Sequence, residues 1–299
     1  MTPTAVADVP AQGSEPAGHQ RRLVVCADDY ALNAGVSAAV VDLARRQRLN
    51  ATSVMVLSPR WTEDAAALRA LRGHIDVGLH LDWTSDFARA AGHGAALTSL
   101  MRGAAWRTLV PASARTQAAV RAVIERQLDA FEVQWRAAPD HVDGHQHVQQ
   151  FAGIREVLVS VLQRRYGAPG AARPWLRVSR VAQVGVKASA ISAWGAQALQ
   201  DWARANSWPH VAPLLGAYNF DPGASTYARH MAQWLAQMPA QATLMCHPAN
   251  ALDARDPIAP ARVREHAYLR SDAFADALAQ AGVQLCRGRD ALAPSTEAP

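Results

Sequence analysis

The sequence predicts an α/β protein built on a parallel sheet, and three observations carry that expectation. Short β-branched or apolar runs alternate with longer amphipathic stretches, the rhythm of repeated strand–helix–strand units. Polar clusters fall at the C-terminal ends of the predicted strands, where α/β barrels and open parallel sheets collect their chemistry. The chain has 299 residues, half of them hydrophobic, which is ample for one large core. α/β barrels commonly use this much chain in a single domain.

Taken in order, a strand over Leu23 to Ala27 leads into a helix over Ala34 to Arg46 and a strand over Thr52 to Leu57. A helix around Glu63 to Leu71, a strand over Ile75 to Leu81 and a long helix over Ala114 to Trp135 continue the pattern, followed by a strand over His141 to His145. Later elements are a helix over Ile154 to Arg165, strands at Leu176 to Val178 and Thr243 to Cys246, helices over Thr226 to Gln237 and Ser271 to Ala281, and a last strand over Val283 to Cys286. The segments Asp82 to Ser113 and Gln183 to Tyr218 are long for plain connections, so they are expected to cover the mouth of the sheet and shape a pocket.

Residues 1–20 are rich in Pro, Ala, Gly, Ser and Thr without periodic apolar positions and read as a disordered leader; residues 289–299 read as a flexible tail, leaving 21–288 as the folded domain. The leader lacks a basic start followed by an apolar stretch, and no run elsewhere is long enough to span a bilayer, so a cytoplasmic protein is expected. A net charge of +5 raises the question of nucleic acid. The basic residues are scattered arginines, with Lys187 the only lysine, and no basic stripe interleaved with aromatics appears, which argues against a nucleic-acid partner. Cys26, Cys246 and Cys286 are odd in number, widely spaced and set in apolar runs, as buried free thiols in a reducing compartment would be.

The densest chemistry lies in His141, Val142, Asp143, Gly144, His145, Gln146 and His147. In an extended strand His141, Asp143, His145 and His147 would project to one face. Imidazole and carboxylate are standard ligands for divalent cations, and a cation offsets the desolvation cost of gathering them, so the segment points to a metal-dependent hydrolase. Upstream, Asp28 and Asp29 emerge from the first strand. Adjacent carboxylates point in different directions, so one can ligate a metal while the other holds a water as general base. Asn33 serves as the cap of the following helix at least as well as either aspartate. His80 stands in an otherwise apolar strand end, and His247 stands at the tip of a strand that Pro248 stops.

Together these elements resemble the YdjC-like carbohydrate deacetylase family, which includes chitooligosaccharide deacetylases and proteins associated with hopanoid biosynthesis. The resemblance runs from about Leu23 to Cys286 and rests on ADDYALN at 27–33, ATSVMV at 51–56, VGLHLDW at 77–83, HVDGHQHV at 141–148, LRVSR at 176–180 and MCHPA at 245–249. It implies a single-domain distorted (βα) TIM-like barrel related to polysaccharide deacetylases, removing N-acetyl groups from amino sugars with one divalent metal ion. Carried over by position, Asp29, His80 and His145 are the metal ligands, Asp28 the general base and His247 a protonated general acid. Asp143 and His147 orient His145 or His247, and Arg177 and Arg180 either orient an acid or bind substrate, or are plain surface arginines. Trp83, Trp106, Trp175 and Tyr218 have flat apolar faces that suit sugar rings, although core packing is the commoner use of any one such side chain. The sequence departs from the family pattern at Ala31 and Ala249, where glycine is usual, and at Gln149, where histidine often sits; none of these removes a proposed ligand.

A phosphoesterase on a similar barrel would use the same ligand types, although no glycine-rich phosphate loop is present; a catalytically silent sugar- or metal-binding protein would keep the barrel without needing both acid and base. Asp with two His suits Zn, Fe, Co or Mn, and Mg where waters complete the shell. A chitooligosaccharide and a lipid- or nucleotide-linked glucosamine are equally compatible as substrates, and a homodimer is allowed but not required.

Overall fold

The computed structural model describes residues 21–93, 113–181, 195–220 and 223–292. Trp106, the leader and parts of the two long connecting segments lie outside the described residues.

Nine strands form one sheet: β1 (Arg21–Tyr30), β2 (Ala51–Val54), β3 (Asp76–Leu81), β4 (His141–Gly144), β5 (Trp175–Arg177), β6 (His210–Val211), β7 (Leu214–Leu215), β8 (Gln241–Cys246) and β9 (Val283–Leu285). The order across the sheet is β6-β5-β4-β3-β2-β1-β8-β7, with β9 also pairing β1, and every pairing is parallel. A lone parallel bridge from Val181 to Leu214, with the Leu214 N–H donating to the Arg180 carbonyl at 2.8 Å, ties β7 to the chain leaving β5 and curls the sheet into a distorted half-barrel.

Helices flank the sheet: α1 (Ala34–Arg45), α2 (Trp61–Arg69), α3 (Asp86–Ala90), α4 (Ala114–Trp135), α5 (Arg155–Tyr166), α6 (Ala196–Ala205), α7 (Ala224–Gln237), α8 (Ala259–Leu269), α9 (Asp272–Gln280) and α10 (Gly288–Ala291). Strands covered on both faces carry continuous apolar runs: β1 is buried from Leu23 to Tyr30 and apolar from Leu23 to Ala27. The Asn33 side chain accepts the Val36 N–H at 2.9 Å and starts α1; Ser113 starts α4, which stops where Arg136 turns left-handed. The core joins Leu23, Val25, Val54 and Leu79 of the sheet to Ile124, Phe131 and Leu162 of the helices.

Two expectations need correction. The strand read as His141 to His145 ends at Gly144, and a 3-10 turn over His145–Gln150 follows. The tail drawn from 289 begins inside α10, whose Ala291 is buried, because that turn packs under Trp175: a Cβ on Gly288 would lie 2.2 Å from the indole. Among the described residues no helix is long and apolar enough to cross a membrane.

Candidate active site

β1 lies between β2 and β8 and delivers both aspartates to the rim. The register with β2 shifts between Ala27 and Tyr30, and Asp29 takes a left-handed backbone, φ +67°. This irregularity turns the two carboxylates apart. Asp28 meets Arg177 of β5 in a two-pronged ion pair, with Nη1 donating to Oδ1 at 2.5 Å and Nη2 to Oδ2 at 2.7 Å. Asp29 meets Arg262 of α8 instead, whose Nη2 donates to Oδ2 at 2.7 Å. Ala31 is also left-handed, φ +72°, a conformation that glycine adopts without strain.

β3 and β4 pair with His80 opposite Asp143. The His80 Nδ1–H donates to Asp143 Oδ1 at 2.6 Å, which leaves Nε2 facing Asp29 Oδ1 at 3.4 Å and Asp28 Oδ2 at 4.0 Å. His145 and His147 do not continue the face of His141 and Asp143. Gln146 and His147 are consecutive left-handed residues, φ +54° and +62°, so the chain doubles back past Gly144. His145 sits edge-on to His80, ring centroids 5.9 Å apart, with Nδ1 hydrogen-bonded to the Thr84 hydroxyl at 2.5 Å. His147 is buried, and its Nδ1 has no hydrogen-bond partner.

Past β8, the His247 backbone N–H donates to Glu265 Oε2 at 2.6 Å, and Tyr218 donates to Oε1 of the same carboxylate at 2.6 Å. The His247 ring stands edge-on to Phe220. Asp28, Asp29, His80, His145, His147, His247, Tyr218, Phe220 and Arg262 all line one cavity of about 1320 Å³ at the C-terminal end of the sheet.

The charges are arranged unevenly. Burial pushes the His80 imidazolium down, but the carboxylates of Asp143 and Asp28 outweigh it and raise the pKa to about 10. Burial raises the Asp29 carboxyl, and the Arg262 guanidinium with the nearby His80 imidazole reverses this, holding it well below the usual carboxylate range. Asp143 is likewise held low against burial by Arg177 and His80. Burial drives His247 down to about 4, and burial with Arg177 drives His147 down to about 3. Burial lifts Glu265 to about 7, even though it accepts two hydrogen bonds.

The donor set fits a divalent cation. Both His80 and His145 have Nδ1 tied to an oxygen, the arrangement that orients Nε2 toward an ion, and Asp29 Oδ1 is buried without a hydrogen-bond partner. The proton on His80 sits where a cation would balance the same carboxylates. Asp29, His80 and His145 are less compact than Asp28, His80 and Asp143, whose donor atoms lie within 4.8 Å of one another. In that tighter trio, however, the Asp28 oxygens already accept from Arg177 and Asp143 Oδ1 from His80. A third grouping, Cys26, His141 and Asp143, is fully buried, and Arg177 Nη2 stands 3.1 Å from Asp143 Oδ2, so a guanidinium already fills the place of a cation there.

Other expected residues fall elsewhere. Trp83 is fully buried and presents no face to the cavity. Trp175 is buried against His141, ring centroids 4.3 Å apart, and donates to Asp76. Arg180 is exposed and bonds Gln200, whereas Arg177 is wholly buried. Of the four flat faces, Tyr218 alone lines the cavity among the described residues. Arg262 and Glu265, one turn apart on α8, are the site residues that motif reading missed.

The model of the YdjC-like protein family matches residues 22–280. The chain belongs to the YdjC-like family. Relatives include a carbohydrate deacetylase of Homo sapiens, 31% identical over 150 residues, covering 48% of this chain and 45% of that protein. A chitooligosaccharide deacetylase of Proteus mirabilis (strain HI4320) is 27% identical over 147 residues, covering 48% and 56%. The match thus spans about half the length of these curated relatives. A crystal structure from Enterococcus faecalis V583, provisionally described as a cellobiose-phosphate cleavage protein, superposes with a TM-score of 0.63 at 16% identity, over 92% of this chain and all of the other. At that identity the likeness shows the fold, a TIM-like α/β half-barrel shared with this YdjC-like chain.

Proposed function

We propose that this YdjC-like protein is a divalent-metal-dependent hydrolase that removes the N-acetyl group from an amino sugar. One observation carries the reading: Asp28, Asp29, His80, His145 and His247, delivered by four different strand ends, converge on a single cavity. The names of the deacetylase relatives supply the substrate class.

Asp29, His80 and His145 would hold the ion, and Nδ1 of each imidazole is already committed to an oxygen. Closing the set takes a turn of the His145 side chain, which is a quarter exposed and whose Nδ1 meets the Thr84 hydroxyl, with Asp82 Oδ1 3.8 Å away. Once bound, the ion supplies Lewis-acid polarisation of the acetyl carbonyl and acidifies the attacking water. Asp28 removes a proton as that water adds to the carbonyl carbon. Arg177 fixes the orientation of Asp28; Oδ1 also accepts the Ser53 hydroxyl at 3.3 Å, so Oδ2, with Arg177 as its one donor, keeps a lone pair for the water.

An amine nitrogen leaves poorly without a proton, and His247 is placed to deliver one. Burial keeps His247 neutral at rest, rather than protonated as the sequence reading has it. The proton it hands to nitrogen is therefore one gained during the cycle, passed on from Asp28 after its removal from the attacking water; the second water proton also ends on the amine, so the products are acetate and an ammonium. Phe220 and Tyr218 offer an apolar wall beside His247.

The test is acetate release from N-acetylglucosamine and its β-linked disaccharide by chelated protein, then after adding back Mg, Mn, Co and Zn separately. Release restored by at least one metal and reduced about a hundredfold or more in Asp28→Asn is the expected result. No release from either sugar with any metal overturns the reading.

A further inference from the structure

α8 carries no motif, yet its first turn reaches the centre of the site. Arg262 is 4% exposed and bridges two carboxylates, donating from Nη2 to Asp29 Oδ2 at 2.7 Å and from Nε to Asp256 Oδ2 at 2.5 Å. Asp256 is itself held, since its Oδ1 accepts the Ile258 N–H at 3.0 Å at the entry to α8. The Arg262 carbonyl accepts the Ala249 N–H at 3.2 Å, and Asn33 reaches Asp253 at 3.4 Å. Residues 251–258 form one wall of the cavity and are stitched to Asp29 through one guanidinium.

Asp29 needs such a restraint. Its backbone is left-handed, a conformation that aspartate adopts only at a cost, and its carboxylate is 3% exposed. With Oδ2 engaged by Arg262, Oδ1 is the oxygen presented toward His80 Nε2, and it has no other partner. A planar guanidinium with a fixed fork holds two carboxylates at once; an ammonium would not. We propose that Arg262 is the positioning residue of Asp29, committing that carboxylate to a one-oxygen contact with the metal ion, and that Asp256 carries this restraint into the cavity wall. The inference rests on the reading of Asp29 as a metal ligand.

The test uses the full chain, stripped of metal and titrated with Mn²⁺ by calorimetry, comparing wild type with Asp29→Asn, Arg262→Ala, Arg262→Lys and Asp256→Asn. Circular dichroism and melting of the metal-free proteins report folding separately. The expected result is a Kd weakened about 10- to 100-fold in Arg262→Ala. Arg262→Lys is expected to recover part of that loss. Asp256→Asn, which touches no proposed ligand, is expected to weaken binding severalfold in a protein that melts normally. A merely structural arginine would lower the melting temperature and leave the Kd of the folded fraction unmoved. Unchanged or tighter Mn²⁺ binding in Arg262→Ala and Asp256→Asn, with binding lost in Asp29→Asn, overturns the positioning role while sparing the ligand reading. Wild-type affinity in Asp29→Asn overturns both. Should Arg262→Ala fail to fold, Arg262→Lys and Asp256→Asn decide: both indistinguishable from wild type is the negative result.

Discussion

Arg177 grips Asp28 by both carboxylate oxygens from β5, four strands away in the sheet order, and the same guanidinium stands 3.1 Å from Asp143. Both partners are almost wholly buried, so the pair spans the floor of the barrel as a charged strut. Its net contribution to stability is small when set against an apolar replacement. Breaking it is a different matter, because two carboxylates then lose their counter-charge in a dry place.

Replacing Arg177 with methionine is accordingly expected to cost about 3–5 kcal/mol in urea unfolding. Arg177→Lys keeps the charge and loses the fork, so its loss should be smaller in stability and still large in turnover, about tenfold or more in kcat with KM little changed. Equal falls in activity and in folded fraction for the lysine variant would reduce Arg177 to a structural role.

Gly78 faces the ring of His141: a Cβ built there would lie 2.4 Å from three ring atoms, and the ring is stacked on Trp175 behind it. The ring has nowhere to retreat. Gly78→Ala is therefore expected to destabilise by about 1–3 kcal/mol, read as a shift of the denaturation midpoint with unchanged slope.

Asn33 caps α1 and also reaches Asp253 in the cavity wall. Asn33→Ala should cost about 1 kcal/mol through the lost cap. Asn33→Asp keeps the cap and sets two carboxylates against each other, so its melting temperature should rise with added salt more than that of wild type.

How much of this was legible in the sequence depends on what each element buries. Parallel strands covered on both faces leave continuous apolar runs, which is why β1, β3 and β8 stand out and why their terminal Asp28, Asp29, His80 and His247 could be singled out. α8 buries Arg262, Glu265 and His266 alongside Ala259, Ala261 and Leu269. A helix whose buried face is half charged leaves no apolar periodicity, and the two residues that reach the site vanish with it. The two-residue strands β6 and β7 are too short for any period to register. His145 and His147 line the cavity, but not by continuing the face of a strand. Nothing local distinguishes a period-two strand from one that reverses at Gly144 into two left-handed residues. Trp83 fills the core, the commoner of the two uses open to it, since an aromatic side chain beside a motif reads the same whether it lines a cavity or packs inside.

Glu265 offers a pH test that follows from burial. Its folded pKa is raised from 4.5 to about 7, so between those values the folded chain binds a proton that the unfolded chain has released. The stabilising contribution is fully present below about pH 4.5 and is lost as pH rises through 7, a difference of up to roughly 3 kcal/mol. Glu265→Gln cannot titrate and keeps the shape of the side chain, with its carbonyl oxygen still able to accept the His247 N–H. Its stability relative to wild type should therefore climb as pH goes from 5 to 8 and level off beyond. Urea midpoints of the two proteins across that range provide the measurement. Parallel curves would mean that Glu265 is ionised throughout, held so by Tyr218 and the His247 amide, and that the two hydrogen bonds outweigh the cost of burying the charge.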